Sequence, residues 1–336
     1  MGHDILLKKL NELEPGEFAD CFVLLSQKDR ASTRDGKPYF RLQFRDAART
    51  VAVMIWHDTA WFADCEQHWK PGQFYKVRAK YCETQFGPQL ELDKIRDITD
   101  ADADDGFSPF DFFPASRFDI PQMYKELVQI AQENITDIPL RTLTLDVLRE
   151  HADLIQRIPA ATRNHHTYTG GYLEHVLSVT KTCVYFAHKY ADYYRQMQPP
   201  LSKSLVIAGA ILHDIGKTLE LDYQPQITGY SPQGRLIGHV LLGRDIIREH
   251  ARAIPDLDAE MMLRLEHIIV SHQNLPEWGS PIAPHSPEAL LVHFADEIDA
   301  KFNMMAVALE APVDEEPFTS RENPLRRAIF RGWNPT

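Results

Sequence analysis

The run His213-Asp214-Ile215-Gly216-Lys217 holds the densest chemistry in the chain. A neutral imidazole beside a carboxylate suits a divalent cation, and the carboxylate can bridge two. The lysine adds a point charge for a phosphate oxygen. The run closes an apolar stretch, Leu205 to Leu212, and Gly216 stands where a helix would end in a left-handed residue. Alone it also occurs by chance, and its weight comes from its companions. His175, His239, His267, His272 and Asp296 each fall on an expected helix or at its end. Of 15 histidines, 12 follow residue 150, whereas solvated histidines would spread evenly. Singly, each histidine reads more readily as a hydrogen-bonded core residue than as a ligand, and a helical aspartate as solvated or paired. Asp296, however, ends the apolar stretch Leu290-Leu291-Val292-His293-Phe294-Ala295, where an unpaired carboxylate is costly. Helical bundles build metal sites from such inward-pointing side chains on several helices.

Two kinds of element must position these residues. From Pro121 the period is helical, predicting helices at Gln122–Asn134, Leu140–Ile158, Gly171–Tyr194, Ser202–Asp214, His239–Ala253, Asp258–Ser271 and Pro287–Leu309, the last capped by Ser286. Residues 14–98 instead alternate with period two. Phe40, Leu42 and Phe44 face one way and Tyr39, Arg41 and Arg45 the other. Tyr75, Val77 and Ala79 likewise oppose Lys76, Arg78 and Lys80. With Phe18–Leu25, Val51–Trp56 and Leu90–Ile95 this makes five strands, enough for a small barrel, and Asp35-Gly36 marks a hairpin. The expected division is 1–98 barrel, 99–120 acidic linker with Phe107, Phe110, Phe112 and Phe113 pinned against a domain, 121–310 helical bundle and 311–336 tail.

Composition is that of a globular protein, with 44% hydrophobic and 25% charged residues. No apolar stretch is long enough to span a membrane, and the start lacks a signal peptide's pattern. Cys21, Cys65, Cys82 and Cys183 show no paired spacing, so a reducing cytoplasm is expected. The net charge of −12 argues against nonspecific coating of nucleic acid. The acidity sits partly in the linker, which leaves room for a basic face on the barrel.

The order His, His-Asp, His, His, Asp resembles the HD-domain superfamily of metal-dependent phosphohydrolases. Asn164-His165-His166, Gly170 to His175, Leu236 to His239, Ser271-His272, Glu277-Trp278-Gly279-Ser280-Pro281 and Ala295 to Lys301 narrow this. They resemble the YhaM-type 3′→5′ exoribonucleases, which join an N-terminal OB-fold β-barrel to an all-α HD bundle. One departure is Gln273, where that family has a second histidine after His272.

The resemblance implies one ion on His175, His213, Asp214 and Asp296 and a second on Asp214, His239 and His272. His267 and His293 would be supporting or alternative ligands. Asp214, Lys217 and His166 would act on the phosphate, and His165, His166 and Lys217 would contact substrate. Oxygen and imidazole donors without thiolate favour Mn²⁺ first, then Fe²⁺, Mg²⁺, Co²⁺ or Ni²⁺. Two ions would share an activated water for attack on phosphorus. On the barrel, Tyr39, Arg41, Arg45, Trp56, Lys76, Arg78 and Lys80 are candidates to stack bases and track phosphates.

The expected function is 3′→5′ hydrolysis of single-stranded RNA, or of single-stranded DNA as well, without membrane association and with a homo-oligomer open. Two alternatives stand beside it: a phosphohydrolase of small nucleotides, and a nucleic-acid-binding regulator with a degenerate HD site. The tail could dock on its own domain, reach a partner or touch RNA.

Overall fold

The computed structural model describes residues 6–161, 166–224, 227–310 and 316–333. The chain forms two compact units, Met1–Pro114 and Ala115–Thr336. Among the described residues no helix is long and apolar enough to cross a membrane.

The first unit holds strands β1 (Phe18–Ser32), β2 (Pro38–Arg45), β3 (Thr50–Trp56), β4 (Phe74–Thr84) and β5 (Gly87–Asp97), with a short helix α1 (Phe62–Gln67). The strands run in the order β1-β2-β3-β5-β4, and β4 pairs back onto β1, an OB-like arrangement. Strand β1 is long enough to serve two neighbours. Phe18 to Leu24 pair with β4, Leu24 to Ser32 pair with β2, and a bulge between Leu25 and Gln27 redirects the strand. The period-two reading puts the right side chains inside: Phe40, Leu42, Phe44, Tyr75, Val77 and Ala79 are all buried.

The expected linker is corrected over most of its length, because residues 99–114 are a strap belonging to this unit. Phe107 and Phe112 pack against Phe74, and Phe107 also packs against Phe22. Asp102 is buried and takes two bonds of 2.6 Å from the Arg96 guanidinium.

The second unit is helical: α2 (Ile120–Asn134), α3 (Ile138–Glu150), α4 (Ala152–Arg157), α5 (Gly171–Tyr193), α6 (Lys203–Leu212), α7 (Lys217–Glu220), α8 (Pro232–Leu236), α9 (His239–Ala251), α10 (Ala259–Ser271) and α11 (Pro287–Glu310). A two-stranded ribbon, β6 (Leu221–Gln224) and β7 (Ile227–Tyr230), follows α7. The single helix expected over Leu140–Ile158 is two, broken at His151, whose ψ of 8° leaves the helical region. Helix α6 forms the axis of the bundle: all residues from Ser204 to Leu212 are buried. Ser202 caps it by accepting from the Leu205 N–H. Ser286 caps α11 in the same way, through the Ala289 N–H.

Gly216 is not a left-handed cap. Its φ is −61°, and its requirement is spatial. A Cβ there would lie 1.9 Å from the His239 carbonyl oxygen and 2.5 Å from the Gly243 nitrogen. Only a glycine lets α9 approach the His213-Asp214 turn this closely.

Candidate metal centre

Asp214, just beyond the buried end of α6, is itself buried, and its two oxygens divide the surrounding histidines. Oδ2 lies 3.4 Å from His213 Nε2 and 3.7 Å from His175 Nε2. Oδ1 lies 3.4 Å from His239 Nε2 and 3.5 Å from His272 Nε2. Asp296, from α11, brings Oδ1 to 3.2 Å from His175 Nε2 and 3.9 Å from His213 Nε2. The donor atoms of His175, His213 and Asp296 lie within 4.8 Å of one another, as do those of Asp214, His239 and His272.

The tautomers follow from the opposite ring nitrogens. His213 Nδ1 donates to the Ala210 carbonyl at 2.8 Å and His272 Nδ1 to the Ile269 carbonyl at 2.7 Å. His239 Nδ1 donates to Glu220 Oε1 at 3.0 Å and His175 Nδ1 to Asp299 Oδ2 at 2.7 Å. With Nδ1 protonated, each neutral imidazole turns an Nε2 lone pair towards a carboxylate oxygen. Acceptors face acceptors, an arrangement that calls for a cation between them. Among the described residues, buried Nε2 of His213 and His239 and Oδ1 of Asp214 find no hydrogen-bond partner, as suits atoms that serve as metal ligands.

The electrostatics agree. Burial would raise the Asp214 carboxyl, but Lys217 and His213 outweigh it and hold it well below the usual range. Burial would likewise raise Asp296, and His175 and His213 keep it low. For His175 burial favours the neutral ring, yet Asp296 and Asp299 lift its pKa to about 9.

The other expected residues fall at different distances from this centre. Lys217 is buried and donates to Asp214 Oδ2 at 2.6 Å, so its first partner is the carboxylate and not an incoming phosphate. His166 is buried, with Nδ1 2.9 Å from the Tyr168 hydroxyl and Nε2 3.2 Å from Asp299 Oδ2. Both ring nitrogens are thereby engaged. His165 lies outside the described residues. His293 donates from Nδ1 to the His272 carbonyl at 2.7 Å and so steadies that ligand from behind.

His267 is outside the metal-binding groups among the described residues. Its Nε2 accepts from the His285 N–H at 2.8 Å, so it pins a loop and is corrected as a substitute ligand. Gln273 aims its amide at His272, with Nε2 to Nε2 at 3.1 Å, and caps that lone pair.

Sequence reasoning gave no role to Asp299 and Glu220, which orient His175 and His239. Asp299 lies three residues after Asp296 on α11, a same-face spacing that could have flagged it. Glu220 could not be found that way, because its partner is 19 residues distant and on another element.

The barrel candidates divide. Tyr39 and Trp56 are cross-strand neighbours with ring centroids 4.9 Å apart, and Trp56 is 42% exposed. Arg41 and Lys80 are exposed, and the Arg45 guanidinium lies 5.3 Å from the Phe113 ring. Lys76 and Arg78 do not present free charge. Lys76 is held by Asp102 and Asp105, and Arg78 binds both oxygens of Asp20.

The HD domain family profile matches residues 172–301. A profile described as a putative helicase, TraI_2, matches residues 120–222. Among solved structures, the second OB-fold domain of replication protein A from Methanococcus maripaludis is 18% identical, covering 28% of this chain and 95% of that one, with a TM-score of 0.22. Asparaginyl-tRNA synthetase from Entamoeba histolytica is 9% identical, covering 47% of this chain and only 37% of that one, with a TM-score of 0.24. Likenesses this weak say nothing about activity. The HD match spans His175, His213, Asp214, His239, His272 and Asp296. The second unit carries an HD domain whose clustered donors suit the divalent-metal chemistry of a phosphohydrolase.

Proposed function

We propose that this protein is a metal-dependent phosphodiesterase that shortens single-stranded RNA from its 3′ end and releases nucleoside monophosphates. The carrying observation is the ring of four imidazoles whose Nε2 atoms face Asp214 and Asp296 while every Nδ1 is bonded elsewhere. The donors are nitrogen and oxygen, and among the described residues no cysteine joins a metal-binding group, which favours Mn²⁺ over a thiolate-bound ion. His175, His213, Asp214 and Asp296 would hold one ion. Asp214, His239 and His272 would hold the other once the Gln273 amide turns aside. When bound, such ions supply positive charge at a phosphoryl oxygen and activate water at neutral pH.

The chain's own groups prepare that centre. Lys217 keeps Asp214 ionised, while Asp299 and Glu220 fix the rotation and tautomer of His175 and His239. A cavity of about 290 Å³ lined by Lys217, His239, Tyr230 and Trp278 opens beside the centre and has room for a phosphate and its nucleoside. Tyr39, Trp56 and Arg41 form a stacking and charge-bearing surface suited to a strand. The 3′→5′ direction and the preference for RNA are what the resemblance of the runs around Gly170–His175 and Glu277–Pro281 to the YhaM-type exoribonucleases implies.

Hydrolysis of a small nucleotide is the second reading, and the modest size of that cavity favours it. A metal-free binding regulator is disfavoured by the buried bond-free atoms of His213, His239 and Asp214. A helicase motor finds no support, since Ile211 stands where a phosphate-binding loop ending in Gly216-Lys217-Thr218 needs its first glycine.

The test is 5′-labelled single-stranded RNA incubated with Mn²⁺ or with EDTA, beside a nucleotide panel. A descending ladder abolished by EDTA is expected. Asp214→Ala should lose turnover and bound metal while still shifting RNA on a native gel. Intact RNA with a hydrolysed nucleotide would transfer the conclusion to the second reading, and wild-type turnover by Asp214→Ala would overturn the metal centre.

A further inference from the structure

Helix α11 is apolar on two opposite faces. One face carries Ala289, Val292, Ala295 and Asp296 into the bundle. The other exposes Leu290 at 45%, Phe294 at 50%, Ile298 at 53%, Phe302 at 70%, Met305 at 39% and Leu309 at 39%. Their spacing of four, four, four, three and four keeps all six on one stripe along the helix. The helix has 24 residues, about 36 Å at 1.5 Å per residue, and the stripe runs almost its whole length. Scattered exposed apolar residues need no explanation, but a contiguous stripe does.

We propose that this face of α11 binds the same face of a second copy of the chain, with the two helices antiparallel about a two-fold axis near residue 300. Two features select that occupant. First, the stripe is nearly palindromic. Reversed on itself, it sets Leu290 against Leu309, Phe294 against Met305 and Ile298 against Phe302, so large meets large along the whole contact. Self-complementarity of this kind is what an isologous interface requires. Second, the area is sufficient. The six exposures amount to roughly 500 Å² of apolar surface per chain, so pairing would bury on the order of 1,000 Å², the threshold for a specific interface. The partly buried Leu291 and the stem of Lys301, whose ammonium is held by Glu297, extend the rim.

The pairing has a bearing on the site, because Asp296 and Asp299 project from the opposite side of the same helix. It does not depend on the reaction proposed above, and its failure would leave that reading untouched.

The experiment is sedimentation of the full chain at low-micromolar concentration. Wild type should sediment at twice the 38.6 kDa of one chain. Ile298→Glu and Phe302→Lys should each weaken association by more than about tenfold, since charge at the centre of an apolar contact is disruptive. Both sites are exposed in the single chain, so each variant should keep the wild-type circular dichroism spectrum, while its Tm falls to that of the unassociated chain. Mixing the two variants should restore a dimer, because antiparallel packing sets position 298 of one copy against position 302 of the other. The introduced carboxylate then meets the introduced ammonium. A monomeric wild type, or a dimer that survives Ile298→Glu, overturns the proposal. So does failure of the mixture to reassociate, since that removes the antiparallel register.

Discussion

Gly216→Ala tests whether the close approach of α9 to the His213-Asp214 turn positions the metal centre. The new Cβ would lie 1.9 Å from the His239 carbonyl oxygen and 2.5 Å from the Gly243 nitrogen, where ordinary contact begins near 3.4 Å. Both neighbours are backbone, so no side chain can rotate away. The first turn of α9 must withdraw by roughly 1.5 Å, while metal ligand distances tolerate only about 0.2 Å. His239 Nε2, now 3.4 Å from Asp214 Oδ1, would leave its place. Overpacking costs about 1–3 kcal/mol, and a backbone clash belongs at the upper end. For a unit of this size, about 3 kcal/mol lowers Tm by roughly 6–12 °C.

Calorimetry would read that fall, and metal analysis should show the loss of the ion assigned to His239 and His272. Gly243→Ala is the graded control: its Cβ would lie 3.1 Å from the Gly216 nitrogen, so a few tenths of an ångström relieve it and the loss should be smaller. A Gly216→Ala protein with wild-type Tm and metal content, or a Gly243→Ala protein that is worse, would refute the argument.

Asp102→Asn should destabilise the first unit by about 1–3 kcal/mol at pH 7, the range for losing charge-assisted bonds whose partners can reach water. The Arg96 guanidinium beside Asp102 holds its carboxyl far below the ordinary 3.8, so the wild-type contribution is complete above about pH 4 and fades as acid protonates the group. Wild type should therefore lose more stability than the variant between pH 5 and the acid limit, and parallel denaturation curves would contradict this. Arg41→Ala combined with Arg45→Ala should weaken binding of a long oligonucleotide and flatten its salt dependence by about two contacts, with little effect on a dinucleotide. Equal effects on both ligands would remove the strand-guiding role.

Local periodicity made most of the elements legible. Phe40, Leu42 and Phe44 announce a strand because alternate side chains must share a face, and the His175, His213 and Asp296 helices show the same consistency at 3.6. What escaped depends on distant partners. The strap at 99–114 reads as a linker because its anchors, Phe22, Phe74 and Arg96, lie outside it. The helix break at His151 carries no proline or glycine, and β6 and β7 are too short to show a period. Gly216 looked like a cap because sequence reports a glycine's freedom but not the carbonyl pressed against it. The histidines of the centre were visible from type and order; of the carboxylates that orient them, Asp299 shares a helix face with Asp296, whereas Glu220 carries no distinguishing pattern of its own.

The bidentate grip of Arg96 on Asp102 bears on the meaning of the net charge of −12. Formal charge counts every carboxylate as a source of repulsion for a polyanion. A carboxylate clasped by a guanidinium and neighboured by Lys76 has almost no monopole left at a distance of one Debye length, about 8 Å in physiological salt. Asp20, bound to Arg78, is silent in the same way. The field met by an approaching strand is therefore set by unmatched groups such as Arg41 and Lys80, and a chain that is acidic on paper can still show a neutral or cationic face where it matters.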